Sequence, residues 1–238
     1  MLNKTLKRFY KLAAAAAVDG GYAVQLDGKG VKTPAAKPLV VPGLALATAM
    51  AAEWTAQETE IRPSTMPLTQ LASTALDRVG PERQAILAQL RDYGATDLLC
   101  YRAACPLDLV ERQARQWQPW LDWARKSLGA DLAVTEGIMA VEQSDAALTA
   151  LSQRLDSYDL WRLTAVQSAC ASAGSLVLAL ALGEGQLTGQ QIFDLSQLDE
   201  TYQIEKWGED YEAADRRARL HRDLLAADQF LILLSADG

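Results

Sequence analysis

The rhythm of apolar and polar positions changes near Pro34 to Pro42. Before it, short runs alternate with turn residues: RFYKLAAAAAV, then DGG at Asp19 to Gly21, YAVQL, DGKG at Asp27 to Gly30, and VKT. Asp-Gly pairs between such runs predict hairpins, because type I′ turns need residues that tolerate positive φ. The alanines Ala13 to Ala17 favour a helix on intrinsic propensity alone. The turns that bracket the partner run assign them instead to a strand.

Beyond the prolines the period lengthens. Leu44 to Glu60 reads as an amphipathic helix with Leu46, Met50 and Trp54 on its apolar stripe. A second helix starts near Pro67, and Pro81 opens a third that runs to about Tyr93. The run LDLVERQARQWQPWLDWARKSLG is helical on both sides of Pro119, which should kink or restart it. A brief strand is expected at Leu132 to Val134. Helices then cover about Asp145 to Ser157, Leu160 to Leu182, and Thr188 to Leu234 with interruptions near Gly208. Gly183 and Gly185 stop the second of these. This order predicts an α+β fold: a small β-rich amino-terminal domain, residues 1–42, followed by a larger, mainly α-helical domain, residues 43–238.

Composition narrows the function classes. Half of the 238 residues are hydrophobic, enough for a core without staples. Three cysteines, Cys100, Cys105 and Cys170, argue against a disulfide framework and read as buried thiols in a reducing compartment. A net charge of −7 argues against nucleic-acid binding. The charge is unevenly spread. Residues 1–40 hold seven Lys or Arg against two acids, and residues 188–238 hold eleven acids against five bases. The uncharged stretch Ala165 to Gly183 is marginal as a membrane span, and a helix packed all round within a protein core is the better reading. The start, MLNKTLKRFYKL, lacks the apolar run of a signal peptide.

Candidate chemistry is sparse. His221 is the only histidine and lies among charged residues on a helix, an exposed position, so a zinc site is excluded and no metal is expected. GxSxG is absent, and burial should dull the Cys170 thiol. GEGQLTG, Gly183 to Gly189, carries its third glycine one position late for a dinucleotide loop and lacks the Lys-Ser/Thr of a P-loop. No cofactor is expected. What stands out is LDETYQIEKWGEDYEAADRR, Leu198 to Arg217, with Tyr202, Trp207 and Tyr211 among seven carboxylates. Glu205 and Glu209 at i, i+4 would face the same way, as a catalytic pair must. Glu212 with Arg216 and Asp215 with Arg219 suit surface ion pairs. Aromatic rings beside charges also suit a protein interface.

Four blocks, KRFYK, GYAVQLDGKGVKTP, AEWTAQETEIRPSTMPLTQLASTALD and LDETYQIEKWG, come in the order found in a known family. The chain resembles the assembly chaperones of the F-type ATP synthase that handle the α subunit of the catalytic head, the assembly factor 2-like group, in its α-proteobacterial form. The resemblance extends with intervals over nearly the whole chain. The alanine run departs from the family's usual β-branched or charged residues. The resemblance implies a protein without catalytic activity that binds the unassembled α subunit and shields its β-subunit interface, without membrane insertion. It implies the bacterial cytoplasm, or the mitochondrial matrix for a eukaryotic source. The family's functional acid in E-x-Y-Q-I-x-x-W-G falls on Glu200, with Glu205 second, and Tyr202, Gln203 and Trp207 complete the client-binding candidates. Two other readings stay open: an enzyme using carboxylates of the Glu200 to Glu212 cluster, and a general holdase without a preferred client.

Overall fold

The computed structural model describes residues 6–137, 140–208 and 211–236. The chain forms two compact units, one carrying the chain up to Glu82 together with the segment from Gln229, the other running from Arg83 to Asp228. The helix that directly follows the prolines packs on the sheet of the first unit.

In the first unit β1 (Leu6–Lys7) pairs antiparallel with β6 (Glu60–Ile61). Strands β2 (Ala13–Val18) and β3 (Gly21–Leu26) form the expected hairpin, and β3 also pairs with β4 (Lys29–Gly30) and β5 (Val40–Val41). The turn between β3 and β4 holds Asp27 at φ +48° and Gly28 at φ +81°, as a type I′ turn requires. The Asp27 carboxylate also accepts the Lys11 and Leu12 amides. Helix α1 (Leu44–Thr55) lies on β2 and β3 and buries Leu46, Ala47, Met50 and Ala51, an i, i+4 stripe. The alanine side chains of β2 leave room for that approach.

The sequence blocks quoted above brace this unit. Glu53 caps α2 (Pro67–Thr74): its carboxylate accepts the Leu68 amide at 2.7 Å, the Thr69 amide at 2.9 Å and the Thr69 hydroxyl at 2.7 Å. Gln57 accepts the Arg62 amide at 2.7 Å. Asp77 accepts the Thr33 hydroxyl at 2.7 Å and the Ala35 amide at 2.9 Å.

The second unit is built from α3 (Arg83–Ala95), α4 (Leu107–Trp123), α5 (Asp145–Asp156), α6 (Leu160–Ala173), α7 (Leu176–Gly183), α8 (Gly189–Ser196), α9 (Leu198–Trp207) and most of α10 (Tyr211–Ser235). Every residue of α7 is buried. Among the described residues no helix is long and apolar enough to cross a membrane. Two expectations are corrected. The helix expected over Leu160 to Leu182 is split, since Gly174 takes φ +70° and the Ser175 hydroxyl caps α7 by accepting the Leu178 amide. The strand expected at Leu132 to Val134 lies at β8 (Thr135–Glu136), parallel to β7 (Tyr101–Arg102). Of the two outcomes expected at Pro119, the restart does not occur, since α4 continues through it.

Candidate functional site

Helix α9 carries the E-x-Y-Q-I-x-x-W block, and its two faces do different things. Leu198 is buried, and Tyr202 and Glu205 turn toward α4. Tyr202 is only 5% exposed, and its hydroxyl donates to the Asp108 carboxylate at 2.8 Å. Lys206 reaches the other oxygen of Asp108 at 3.2 Å. Glu205 takes a two-pronged hydrogen bond from Arg112, at 3.0 and 2.8 Å, and Gln113 donates to Asp199 at 2.7 Å. Asp108, Arg112 and Gln113 lie one turn apart on α4, so α9 is latched along two turns. Electrostatics follow from this geometry. The Tyr202 hydroxyl and the Lys206 ammonium hold Asp108 below the usual carboxylate range. Arg112 does the same for Glu205, a hydrogen-bonded structural acid.

The opposite face is free for contact. Glu200, Gln203 and Trp207 stand at i, i+3, i+7. Glu200 is half-buried and has no side-chain hydrogen bond or ion pair among the described residues, and Gln203 is exposed. Trp207 is 78% exposed, and Tyr211, at the start of α10, is 81% exposed. Gly208, at φ +87°, ends α9 between the two rings. The five residues singled out in the sequence therefore divide: Glu200, Gln203 and Trp207 point outward, whereas Tyr202 and Glu205 hold the helix.

The expected pair of Glu205 with Glu209 lies outside the described residues. The pairs Glu212 with Arg216 and Asp215 with Arg219 do not close to ion-pair distance; solvated surface charges gain little from pairing. His221 is half-buried rather than exposed, its ring tilted at 45° against Phe193 with centroids 4.6 Å apart, and its Nε2 lies 2.6 Å from the Gln190 amide oxygen. Cys100 and Cys170 are buried as expected, but Cys105 is exposed. In GEGQLTG, Gly183 closes α7, and Thr188 opens α8 through a capping box with Gln191. Among the described residues no group of three His, Cys, Asp or Glu has the arrangement of a metal site.

Sequence reasoning passed over Asp97. Asp97 is fully buried and tethers the start of α7, and no local pattern marked it. Tyr211 was noticed within the segment, but its exposure depends on where α10 begins.

Comparisons with known proteins agree with this architecture. A family model described as ATP12 chaperone protein matches residues 7–125. The chain is 28% identical to the mitochondrial protein atp12 of Schizosaccharomyces pombe over 86% of this chain and 74% of that one. It is 24% identical to the mitochondrial ATP12 of Saccharomyces cerevisiae over 95% and 85%. The crystal structure of Atp12 from Paracoccus denitrificans superposes with a TM-score of 0.90 at 39% identity, covering 96% of this chain and 98% of that one. A protein of Agrobacterium tumefaciens gives 0.91 at 42% identity, covering 96% and 86%. With half its length under the family model and near-complete structural overlap, the chain belongs to the ATP12 chaperone protein family.

Proposed function

We propose that this chain is a client-specific chaperone that binds the unassembled α subunit of the F-type ATP synthase catalytic head and shields its β-subunit interface until assembly. The observation that carries the reading is the outward face of α9, where Trp207 and Tyr211 offer large exposed rings beside Glu200 and Gln203. Rings of this kind supply apolar anchors, and a carboxylate without a partner of its own selects a basic counterpart. Tyr202 and Glu205 act as positioning residues that keep the face in register. Binding free energy alone does the work, and the β subunit displaces the chaperone by competing for the same surface. No catalytic step belongs to the mechanism. The bacterial cytoplasm, or the mitochondrial matrix for a eukaryotic source, is the compartment where this client is made or received.

The test mixes purified protein with freshly unfolded α subunit, or with an unrelated client, and follows aggregation and co-elution. A discrete complex with the α subunit alone, weakened by Glu200→Lys, is expected. Equal protection of both clients would replace the proposal with a general holdase, and ATP turnover by the pure protein would refute the mechanism.

A further inference from the structure

Strand β2 is hydrogen-bonded along one side only. Among the described residues it pairs with β3 and with no other strand, and the register from Ala13↔Leu26 to Val18↔Gly21 is unbroken. The Asp27 amide donates to the Leu12 carbonyl at 2.9 Å, one step before that ladder, which fixes its phase. In an antiparallel pair alternate residues bond to the partner, so Ala14, Ala16 and Val18 use their N–H and C=O on β3, whereas those of Ala13, Ala15 and Ala17 point away from it. None of the 6 residues of β2 is buried, and Ala14 and Ala17 are exposed. Sheet edges are usually blunted by a proline, a charge or a bulge. From Ala13 to Val18 this edge has none of them.

An edge of this kind accepts an extended strand, and the residues around it select which one. The segment KLAAAAAVD, Lys11 to Asp19, is complementary to itself when run antiparallel about Ala15. Ala15 then faces Ala15 of a second copy, Ala13 faces Ala17, Leu12 faces Val18, and Lys11 of each copy faces Asp19 of the other. The same register sets the outward amides and carbonyls of Ala13, Ala15 and Ala17 opposite one another as hydrogen-bonded pairs. The end charges are free to meet. Lys11 and Asp19 are exposed and make no ion pair among the described residues, and the Asp27 carboxylate near Lys11 is taken up by the Lys11 and Leu12 amides. Leu12, which would lie against Val18, is 65% exposed. We infer that β2 pairs with β2 of a second copy of this chain across a two-fold axis at Ala15, joining the two sheets into one. Because both copies use the same edge, the contact closes at a dimer. A single pair of short strands buries little surface, so the association is weak and reversible. It covers an edge that would otherwise recruit strands from other chains.

Sedimentation velocity of the full chain, from micromolar to millimolar concentration, tests the inference. A monomer–dimer equilibrium that shifts with concentration is expected. Ala15→Pro removes an outward N–H that β3 does not use, a change an edge strand tolerates, so it should abolish the dimer while circular dichroism shows the fold retained. Charge reversal reads the register without touching the backbone. Lys11→Glu and Asp19→Lys should each weaken self-association about 10-fold, since like charges then meet at both ends of the strand pair. Mixed in equal amounts, the two variants should associate about as well as wild type, because each reversed charge then meets its opposite. Should Ala15→Pro fail to fold, the charge-reversed pair decides alone. A monomer throughout the range, a dimer that survives Ala15→Pro in a folded chain, or a mixture no tighter than its components would overturn the inference. A monomer whose Ala13, Ala15 and Ala17 amides gain protection from hydrogen exchange only when the α subunit is added would overturn it too, by assigning the edge to an extended client segment.

Discussion

Asp97→Ala should destabilise the helical unit far more than a single small side chain suggests. The carboxylate is fully buried and accepts the Leu99 amide at 3.0 Å, the Ser175 hydroxyl at 2.8 Å and the Val177 amide at 2.9 Å. It thereby joins the turn after α3 to the first turn of α7. Alanine leaves these donors facing a void, and each buried orphan costs about 1–3 kcal/mol. The wild-type carboxylate itself resists ionisation: burial lifts its pKa from 3.8 to about 6 in spite of the donors. That rise corresponds to about 3 kcal/mol. Because the folded value lies above the unfolded one, the contribution is complete below about pH 4 and is lost as pH rises through about 6. Three orphaned donors cost about 3–9 kcal/mol together, and relief of the buried charge returns about 3, so the net loss for Asp97→Ala near neutral pH is roughly 0–6 kcal/mol, about 3 at mid-range. Urea unfolding followed by circular dichroism measures it, and a variant more stable than the wild type would refute the argument. Asp97→Asn, which does not titrate, isolates the pH effect. The wild type's advantage over it should shrink between pH 4 and pH 7. An advantage that grows instead would mean that the three hydrogen bonds outweigh burial.

Gly189→Ala would place a Cβ 2.5 Å from the Leu224 carbonyl oxygen, so it should lower stability by roughly 1–3 kcal/mol in thermal melts, whereas Gly30→Ala, with open space, should not match it. Trp207→Ala removes an exposed ring, so the melting curve should stay within about 0.5 kcal/mol of wild type while α-subunit capture weakens at least about 10-fold; unchanged capture would remove Trp207 from the interface. A thiol reagent at pH 8 should titrate only Cys105 in the native protein and all three cysteines in denaturant, because burial pushes Cys100 up to about 12 and Cys170 well above its ordinary value.

The amino-terminal hairpins were legible because turn chemistry is local: Asp27 and Gly28 must both take positive φ whatever surrounds them. Even the alanine run was assigned correctly once its turns overrode its propensity. The break at Gly174 and Ser175 was hidden inside an apolar stretch, since the partner that fixes the new helix start, Asp97, lies far away in sequence. The site was half legible. Spacing and composition found the segment Leu198 to Arg217, yet inward Tyr202 could not be told from outward Trp207 until α4 supplied Asp108 and Arg112. Surface pairing failed as a guide for a different reason: Glu212 and Asp215 have the right spacing to their arginines, but in water the gain is too small to fix long side chains.

The division of α9 into two faces also bears on the rival readings. An enzyme would need its carboxylates convergent, open to substrate and tuned toward proton transfer. Glu205 is instead locked to Arg112 and held below its usual range, and Asp199 is hydrogen-bonded to Gln113. A general holdase would rely on a broad apolar surface. Here the outward rings are interrupted by Glu200 and Gln203, which on the proposed reading would penalise clients that cannot answer a charge and an amide. The latch then has a role beyond stability. A surface already held in one arrangement loses less conformational entropy on docking, so on the proposed reading the polar contacts between α4 and α9 would add to affinity without touching the client. On the proposed reading the acids of α9 are of two kinds, Asp199 and Glu205, which hold the helix, and Glu200, left for a partner, so charge reversal at Glu200 should weaken client binding while leaving the latch to α4 in place.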